Sequence, residues 1–476
     1  MHALLSFVAL LQVTAGAPAK PPAHAGGVRT PARVAGQPAT PATPVGPPTV
    51  VVLVADDLGY QDLGVQGSPD IATPSIDRLF RDGVTFTNGY VSASLCSPSR
   101  AGLLTGRYQE RFGHDFNPGE FADDSATFGL PPEVPTLAER LKARGYATAL
   151  IGKWHLGTRA DSRPNIRGFD EFYGFLGREH WYARNRFTTA YEPVLRGQSP
   201  VTDTTYLTRA LAREASAFIE RNAARPFFLY LPFNAVHVPM QADSLTLPRV
   251  QGVRAAKRRT YASMVTSLDD AVGTVLATLE RLKLTNNTLV VFLSDNGGPS
   301  DRTTASNAPL SGAKAMLFEG GIRVPFAMRW PARLPAGATY RSPVIALDIA
   351  PTAVAAAGGA ADAKVPFDGV DLTPFLTGQK GTAEPHARLF WRMGTRYAVR
   401  EGNWKLVSDR LFGRSRLFDL TKDPGEHTSV EKSHRDVAKR LDAAYDEWNG
   451  SMQRAKVLLP GILGKFQQWY RYRKDD

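Results

Sequence analysis

Two adjacent carboxylates directly after an apolar run are costly, because like charges a few ångströms apart repel and each must be solvated or neutralised. Asp56 and Asp57 stand in that position, behind the run Thr49 to Val54. A divalent cation is the usual remedy; a solvated pair capping a turn is the plainer alternative. A second run, Thr288 to Leu293, ends in Ser294-Asp295-Asn296-Gly297-Gly298. It adds a carboxylate, an amide oxygen and glycines that let the backbone turn sharply. Alone, such a stretch reads as a turn. Joined to Asp56 and Asp57, Asp295 and Asn296 complete an all-oxygen ligand set, whose hardness suits Ca²⁺ or Mg²⁺ better than zinc.

The chain has one cysteine, Cys96, so no internal disulfide can form. A lone cysteine is ordinarily a small buried hydrophobe. Here it opens Cys96-Ser97-Pro98-Ser99-Arg100, which runs into Ala101-Gly102-Leu103-Leu104-Thr105-Gly106-Arg107. Pro98 marks a helix start, where its missing N–H costs little, so Cys96 is expected at a helix N-terminus facing an anion. On physics alone it could there be a thiolate nucleophile of lowered pKa. Cationic donors surround it in the sequence: Lys153 and His155 within Gly152-Lys153-Trp154-His155-Leu156-Gly157, His237 within Asn234-Ala235-Val236-His237-Val238-Pro239, and Lys314 shortly before Glu319-Gly320-Gly321-Ile322-Arg323-Val324-Pro325. Each alone is ordinary surface or core decoration. Together, most of them following strands, they describe a pocket for transferring an anionic group.

The elements that must position these residues are legible as alternation. Thr49 to Val54, Tyr146 to Ile151, Pro226 to Leu231 and Thr288 to Leu293 are continuous apolar runs of the kind buried on both faces. Between them lie amphipathic stretches at Ser75 to Asp82, Thr136 to Arg144 and Arg259 to Leu282, the last with Tyr261, Met264, Val265, Leu268, Val272, Val275 and Leu279 on one stripe. Strands alternating with helices imply a mostly parallel sheet covered on both faces, with functional residues beyond the carboxyl ends of its strands. From about residue 386 short strands follow closely, at Arg388 to Trp391, Tyr397 to Arg400, Trp404 to Ser408 and Arg416 to Asp419. A helix over Val430 to Trp448 completes what reads as a small antiparallel subdomain.

The pattern C-x-P-x-R continuing into A-G-L-L-T-G-R resembles the signature of the type I sulfatases, within the alkaline-phosphatase-like superfamily. Ala55 to Gly64 (ADDLGYQDLG), GKWHLG, DNGG and K-x₄-EGGIRVPF resemble that family's other blocks, in its order, and Leu417 to Pro424 (LFDLTKDP) resembles its C-terminal subdomain. The resemblance implies an α/β fold: a large mixed, mostly parallel sheet sandwiched by helices, with the smaller antiparallel-sheet subdomain. It implies that Cys96 is oxidised to formylglycine by a maturation enzyme that reads Cys96, Pro98 and Arg100. One hydroxyl of the hydrated aldehyde would attack sulfur, and the other would expel sulfate by re-forming the aldehyde. By the same resemblance Asp56, Asp57, Asp295, Asn296 and residue 96 would hold Ca²⁺, and Arg100 would orient the hydrate. Lys153 and Lys314 would bind sulfate oxygens, and His155 would take the proton from the second hydroxyl. His237, with Lys314, would protonate the leaving alcohol.

The formal charge of +12 suits a polyanionic partner in general, although a merely solvated basic surface fits equally. No Lys/Arg run is long enough for a nucleic-acid arm: Lys257-Arg258-Arg259 is short and sits at a helix start. Residues 1–19 read as an export signal, with the apolar run Ala3 to Val13 before small residues, and residues 20–48 as a Pro/Ala-rich disordered tether. A catalytic domain is expected over 49–385 and the subdomain over 386–476, with no membrane span and a secreted or periplasmic location. The substrate reading leans to a sulfated saccharide over an aryl sulfate. Gly177-Arg178-Glu179-His180-Trp181-Tyr182 joins charge to aromatics as sugar pockets do, with Arg184 and Arg186 nearby. A phosphonate or phosphate ester hydrolase of the same fold and a non-catalytic binder of sulfated polymers are the alternatives.

Overall fold

The computed structural model describes residues 46–118, 129–183 and 193–456. The expected export signal, most of the tether, and Arg184 and Arg186 lie outside the described residues. The described residues fall within one compact unit, Ala42–Asp476.

Among the described residues the large sheet has ten strands, in the order β11-β2-β10-β9-β1-β8-β4-β5-β6-β7. In chain order these are β1 Thr49–Ala55, β2 Val84–Phe86, β4 Ala147–Lys153, β5 Glu171–Phe175, β6 Leu195–Arg196, β7 Ser199–Pro200, β8 Phe227–Pro232, β9 Thr288–Ser294, β10 Phe326–Arg329 and β11 Ala338–Tyr340. The two strands β3 Gly89–Tyr90 and β12 Val344–Ile345 pair separately. The four long runs read from the sequence become the adjacent parallel strands β9, β1, β8 and β4 at the centre. The sheet is mixed because β10 runs antiparallel to β9 and to β2, and β6 to β5 and β7.

Strand β1 is buried at every position because its alternate side chains feed two cores. Val50, Val52 and Val54 pack with α2 (Cys96–Thr105), α3 (Leu137–Lys142) and α7 (Ile349–Ala356). Val51, Leu53 and Ala55 pack with α1 (Pro74–Arg81), α4 (Leu207–Arg221) and α5 (Ala256–Arg281). Each fully buried Val or Leu contributes about 1.5–3 kcal/mol, so a strand apolar on both faces has one stable place, the middle of a covered sheet. The stripe on α5 is buried as its spacing requires: Tyr261, Met264, Val265, Leu268, Val272, Val275 and Leu279 are all inside.

The small sheet is antiparallel, β13 Leu389–Met393, β14 Arg396–Glu401, β15 Trp404–Asp409 and β16 Arg414–Asp419. Helix α8, Arg435–Gly450, covers it through Val437, Leu441 and Tyr445. It starts later than the amphipathic pattern suggests, because Glu431–Ser433 forms a separate 3₁₀ turn. The sheet is joined to the rest of the unit by buried charge. Lys405, in β15 and fully buried, lies 2.9 Å from Glu319 and 2.9 Å from Glu426.

One ammonium cannot fully compensate two buried carboxylates. Burial works against ionisation of Glu319, but Lys405, Arg323 and Arg400 outweigh it and hold its carboxyl down to about 2. Burial and the nearby Glu319 charge push Glu426 up to about 7, against the pull of Lys405. Above its ordinary value of 4.5 the unfolded chain gives up the Glu426 proton while the folded protein keeps it. Stability therefore falls as pH rises from there towards 7, by up to about 3 kcal/mol. Glu319 has the opposite sign: its contribution is complete above 4.5 and is lost as pH falls towards 2. Glu426→Gln is expected to flatten the neutral limb, so that Tm followed from about pH 5 to about pH 8 declines less than in the unsubstituted protein. An unchanged decline would exclude Glu426 as its source.

Candidate active site

The carboxyl ends of β1, β9, β4 and β8 lie side by side, and each delivers polar residues to one point. Asp56 and Asp57 follow β1, with Asp56 pinned by backbone hydrogen bonds to Ala235 (2.8 Å) and Val236 (2.7 Å). Asp295 and Asn296 follow β9, and the Asp295 N–H donates to the Ala55 carbonyl at 3.0 Å. Lys153 is the last residue of β4, with His155 just beyond, and His237 lies in the turn after β8. Helix α2 begins at Cys96, with Leu95 as its extended N-cap, so the thiol sits in the first helical turn as expected. Lys314 enters from the loop between β9 and the short α6, Glu319–Ile322.

These residues touch. The Lys153 ammonium is 2.6 Å from Asp56 Oδ2, and Arg100 donates twice to Asp295 Oδ2, at 2.9 and 2.7 Å. Lys314 Nζ lies 2.7 Å from Asp57 Oδ1 and 3.1 Å from Cys96 Sγ. His237 Nε2 is 3.5 Å from Asp57 Oδ2, while its Nδ1 meets the Val238 carbonyl at 2.6 Å. Three carboxylates thus face Lys153, Arg100 and Lys314, out of water. Burial opposes ionisation of Asp56 and Asp57, but Lys153 for the first and Lys314 for the second, with His237, keep both carboxyls below the usual range. Burial also works against the Lys314 charge, yet Asp57 outweighs it and raises its pKa well above the ordinary value.

The thiol departs from one expectation. Burial pushes Cys96 well above an ordinary cysteine, and the pull of Lys153 and Lys314 does not reverse this. Cys96 therefore does not stand as a thiolate of lowered pKa, the reading its helix position alone invites. His155 is driven the other way: burial, then Lys153 and Arg100, lower its pKa well below the usual value, so the ring is neutral. Neither of its ring nitrogens has a hydrogen-bond partner among the described residues.

A divalent cation fits this constellation. The ligand atoms of Asp56, Asp57, Cys96 and His237 all lie within 4.8 Å of one another. Asn296 Oδ1 is buried without a partner among the described residues, while its Nδ2 donates to Asp57 Oδ1 at 2.7 Å. An orphaned carbonyl oxygen beside three carboxylates calls for a hard cation, because burying it unpaired costs about 1–3 kcal/mol. Asp57 and His155 also hold left-handed backbones, at φ 64 and 58. Such conformations cost of order 1–3 kcal/mol and recur where a site over-determines its geometry.

A family model, sulfatase, matches residues 48–360, well over half the chain, and a second, N-sulphoglucosamine sulphohydrolase C-terminal, matches 313–449. This chain belongs to the sulfatase family. It is 32% identical to the steryl-sulfatase of Mus musculus, over 86% of this chain and 83% of that one. It is 35% identical to the N-acetylgalactosamine-6-sulfatase of Canis lupus familiaris, over 75% and 71% respectively. Its fold matches the crystal structure of Ps i-CgsB in complex with k-i-k-neocarrahexaose, with a TM-score of 0.82, 33% identity, and coverage of 90% of this chain and 98% of that one. The fold is the alkaline-phosphatase-like one of that family, and the chain is a sulfuric ester hydrolase.

In this sulfatase all ten residues singled out from the sequence, Asp56, Asp57, Cys96, Arg100, Lys153, His155, His237, Asp295, Asn296 and Lys314, are gathered at one place. Sequence reasoning missed what lies behind His155. Ser97 Oγ donates to the His155 carbonyl at 2.5 Å and meets His114 Nε2 at 2.7 Å, and the Ser97 N–H donates to Asn117 Oδ1 at 2.9 Å. His114 and Asn117 belong to no strand–turn pattern, so nothing in their spacing signals the contact. Glu179, noted from the sequence only as part of an aromatic loop, comes within 3.9 Å of His237 Nδ1.

Proposed function

We propose that this sulfatase releases inorganic sulfate from a sulfated saccharide, with residue 96 matured to formylglycine and Ca²⁺ held by Asp56, Asp57, Asp295, Asn296 and residue 96. The observation that carries the reading is the enclosed contact of Lys314 with both Asp57 and Cys96, at 2.7 and 3.1 Å, opposite the Lys153–Asp56 pair. Bound and matured, the two groups would supply a hydroxyl nucleophile and a Lewis acid. The other roles fall to side chains already in place. Lys153 and Lys314 flank the position of residue 96 and would hold the oxygens of an anionic ester. Arg100, clamped on Asp295, would orient residue 96. His155, neutral and with both nitrogens unengaged by described residues, would accept a proton. Lys314, 3.1 Å from residue 96, would with His237 deliver one to the departing alcohol.

What supports a saccharide is the kinship with an N-acetylgalactosamine-6-sulfatase and the likeness to a protein crystallised with neocarrahexaose. The kinship with a steryl-sulfatase keeps an aryl or steryl sulfate as the second reading. Among the described residues no helix is long and apolar enough to cross a membrane. With the amino-terminal pattern, the proposed setting is the periplasm or the exterior, after action of a formylglycine-generating maturation enzyme.

The test is free-sulfate release by matured protein from a panel of sulfated saccharides, a steryl sulfate and 4-nitrophenyl sulfate, alongside phosphate and phosphonate esters. Release confined to saccharides is the expected result. Faster turnover of the phosphonates would replace the reading with its hydrolase alternative. Tight binding of sulfated polymer without release from any ester would replace it with the binder.

A further inference from the structure

The loop carrying Lys314 is braced by α6, and α6 touches both halves of the site. On one side the Gly297 N–H, next to Asn296, donates to the Gly321 carbonyl at 3.0 Å. A side chain at Gly297 would meet the Gly320 oxygen at 1.8 Å, so this approach admits only glycine. On the other side the Gly320 N–H donates to Ser311 at 2.7 Å, and a Cβ on Gly321 would lie 2.0 Å from the Met316 carbonyl. Between those contacts sits Lys314, its neighbour Ala315 tied to the Ser94 carbonyl at 2.8 Å.

What fixes α6 is the carboxylate at its first residue. Glu319 is fully buried, 2.9 Å from Lys405 Nζ, and accepts a hydrogen bond from Tyr90 at 2.6 Å. Its N–H donates to Glu426, which is also 2.9 Å from Lys405. Lys405 is the second residue of β15 and Glu426 lies in the segment after β16, so both grips belong to the small sheet. Arg323 and the Tyr90–Arg400 contact complete the enclosure.

We propose that Lys405 is a positioning residue for sulfate-ester cleavage: bound to Glu319 and Glu426, it fixes the α6 turn and thereby keeps the Lys314 ammonium against Asp57 and residue 96. This rests on the reading of Lys314 as a donor to the leaving alcohol. A buried side chain that merely stabilised the fold would, on removal, reduce turnover of every ester alike. Displacing a proton donor instead penalises poor leaving groups and spares good ones.

The experiment compares matured protein with Lys405→Met, Lys405→Arg, Lys314→Met and the double variant Lys314→Met/Lys405→Met. The esters are aryl sulfates with leaving groups from 4-nitrophenol to phenol. For Lys405→Met, kcat/KM is expected to fall about 10- to 100-fold further on phenyl sulfate than on 4-nitrophenyl sulfate, where only the hold of Lys314 on the sulfate oxygens is weakened. Lys405→Arg should restore most of the loss, and the double variant should be no worse than Lys314→Met alone. Losses from the two substitutions that multiply, or a Lys405→Met pattern unlike that of Lys314→Met, would overturn the proposal. If Lys314→Met itself shows no dependence on leaving group, the donor reading fails. Lys405 is then judged by whether the double variant still equals Lys314→Met. Should Lys405→Met not fold, Lys405→Met/Glu426→Gln takes its place in every comparison, because it leaves Glu319 as the one carboxylate there, still paired with Arg323.

Discussion

Cys96→Ala is expected to leave a folded protein whose sulfate release falls by four orders of magnitude or more, on the order of 10⁴-fold at least, the scale seen when a covalent nucleophile is deleted. The side chain is fully buried and small, in contact with Lys314 and, at 3.5 Å, with Asp56. Removing it takes one sulfur from a polar enclosure, so the stability change should stay near about 1 kcal/mol. The two measurements separate chemistry from folding: sulfate release collapses while Tm holds. Mass spectrometry of the peptide from matured wild-type protein should show an aldehyde in place of the thiol. Activity retained in the alanine variant would move the nucleophile elsewhere. A persistent thiol in fully active protein would discard formylglycine but keep the site.

Chelation should abolish turnover without unfolding the protein. Asp56 already meets Lys153, Asp57 meets Lys314 and Asp295 meets Arg100, so the three buried carboxylates stay compensated when a divalent ion leaves. Asn296 Oδ1 and the mutual repulsion of the acids then account for what the ion adds on return. Added Ca²⁺ should restore activity and raise Tm; at a hundredfold excess over Kd the gain is about 2.7 kcal/mol. Asp57→Ala should lose both responses, because it removes a proposed ligand and the partner of Lys314 together. A chelated protein that remains fully active would leave the oxygen cluster as an ion-pair network without a metal.

Much of this site is legible in the chain because chemistry follows apolar runs. β1, β4, β8 and β9 are apolar on both faces, hence central and parallel, and their first polar successors arrive at neighbouring strand ends by construction. The fold class follows from the same alternation. The short strands are less legible: β2, β3 and β12 have two or three residues, too few for a period, and are defined by pairing with distant chain. The supports behind the site are hidden for a related reason. Ser97, His114 and Lys405 act through a few contacts with residues on other elements, and a lysine in a short amphipathic strand looks like any surface lysine until its burial is known. The low-pKa thiolate failed because a helix terminus supplies partial charge, whereas complete burial withdraws solvent from the whole thiolate.

The pairing of β1 with β9 joins residue 49 to residue 288 in register, and Cys96, Pro98 and Arg100 are all buried at the finished sheet end. That closure is a clock. Until the chain as far as β9 has been made and its loops closed, the segment around Cys96 would be an open strip that the proposed maturation enzyme could read. Once the central strands zip together, the strip is sealed and its chemistry is set. Any catalyst that must recognise Cys96, Pro98 and Arg100 side by side is therefore confined to the interval before long-range strand pairing. A topology that folds slowly lengthens that interval.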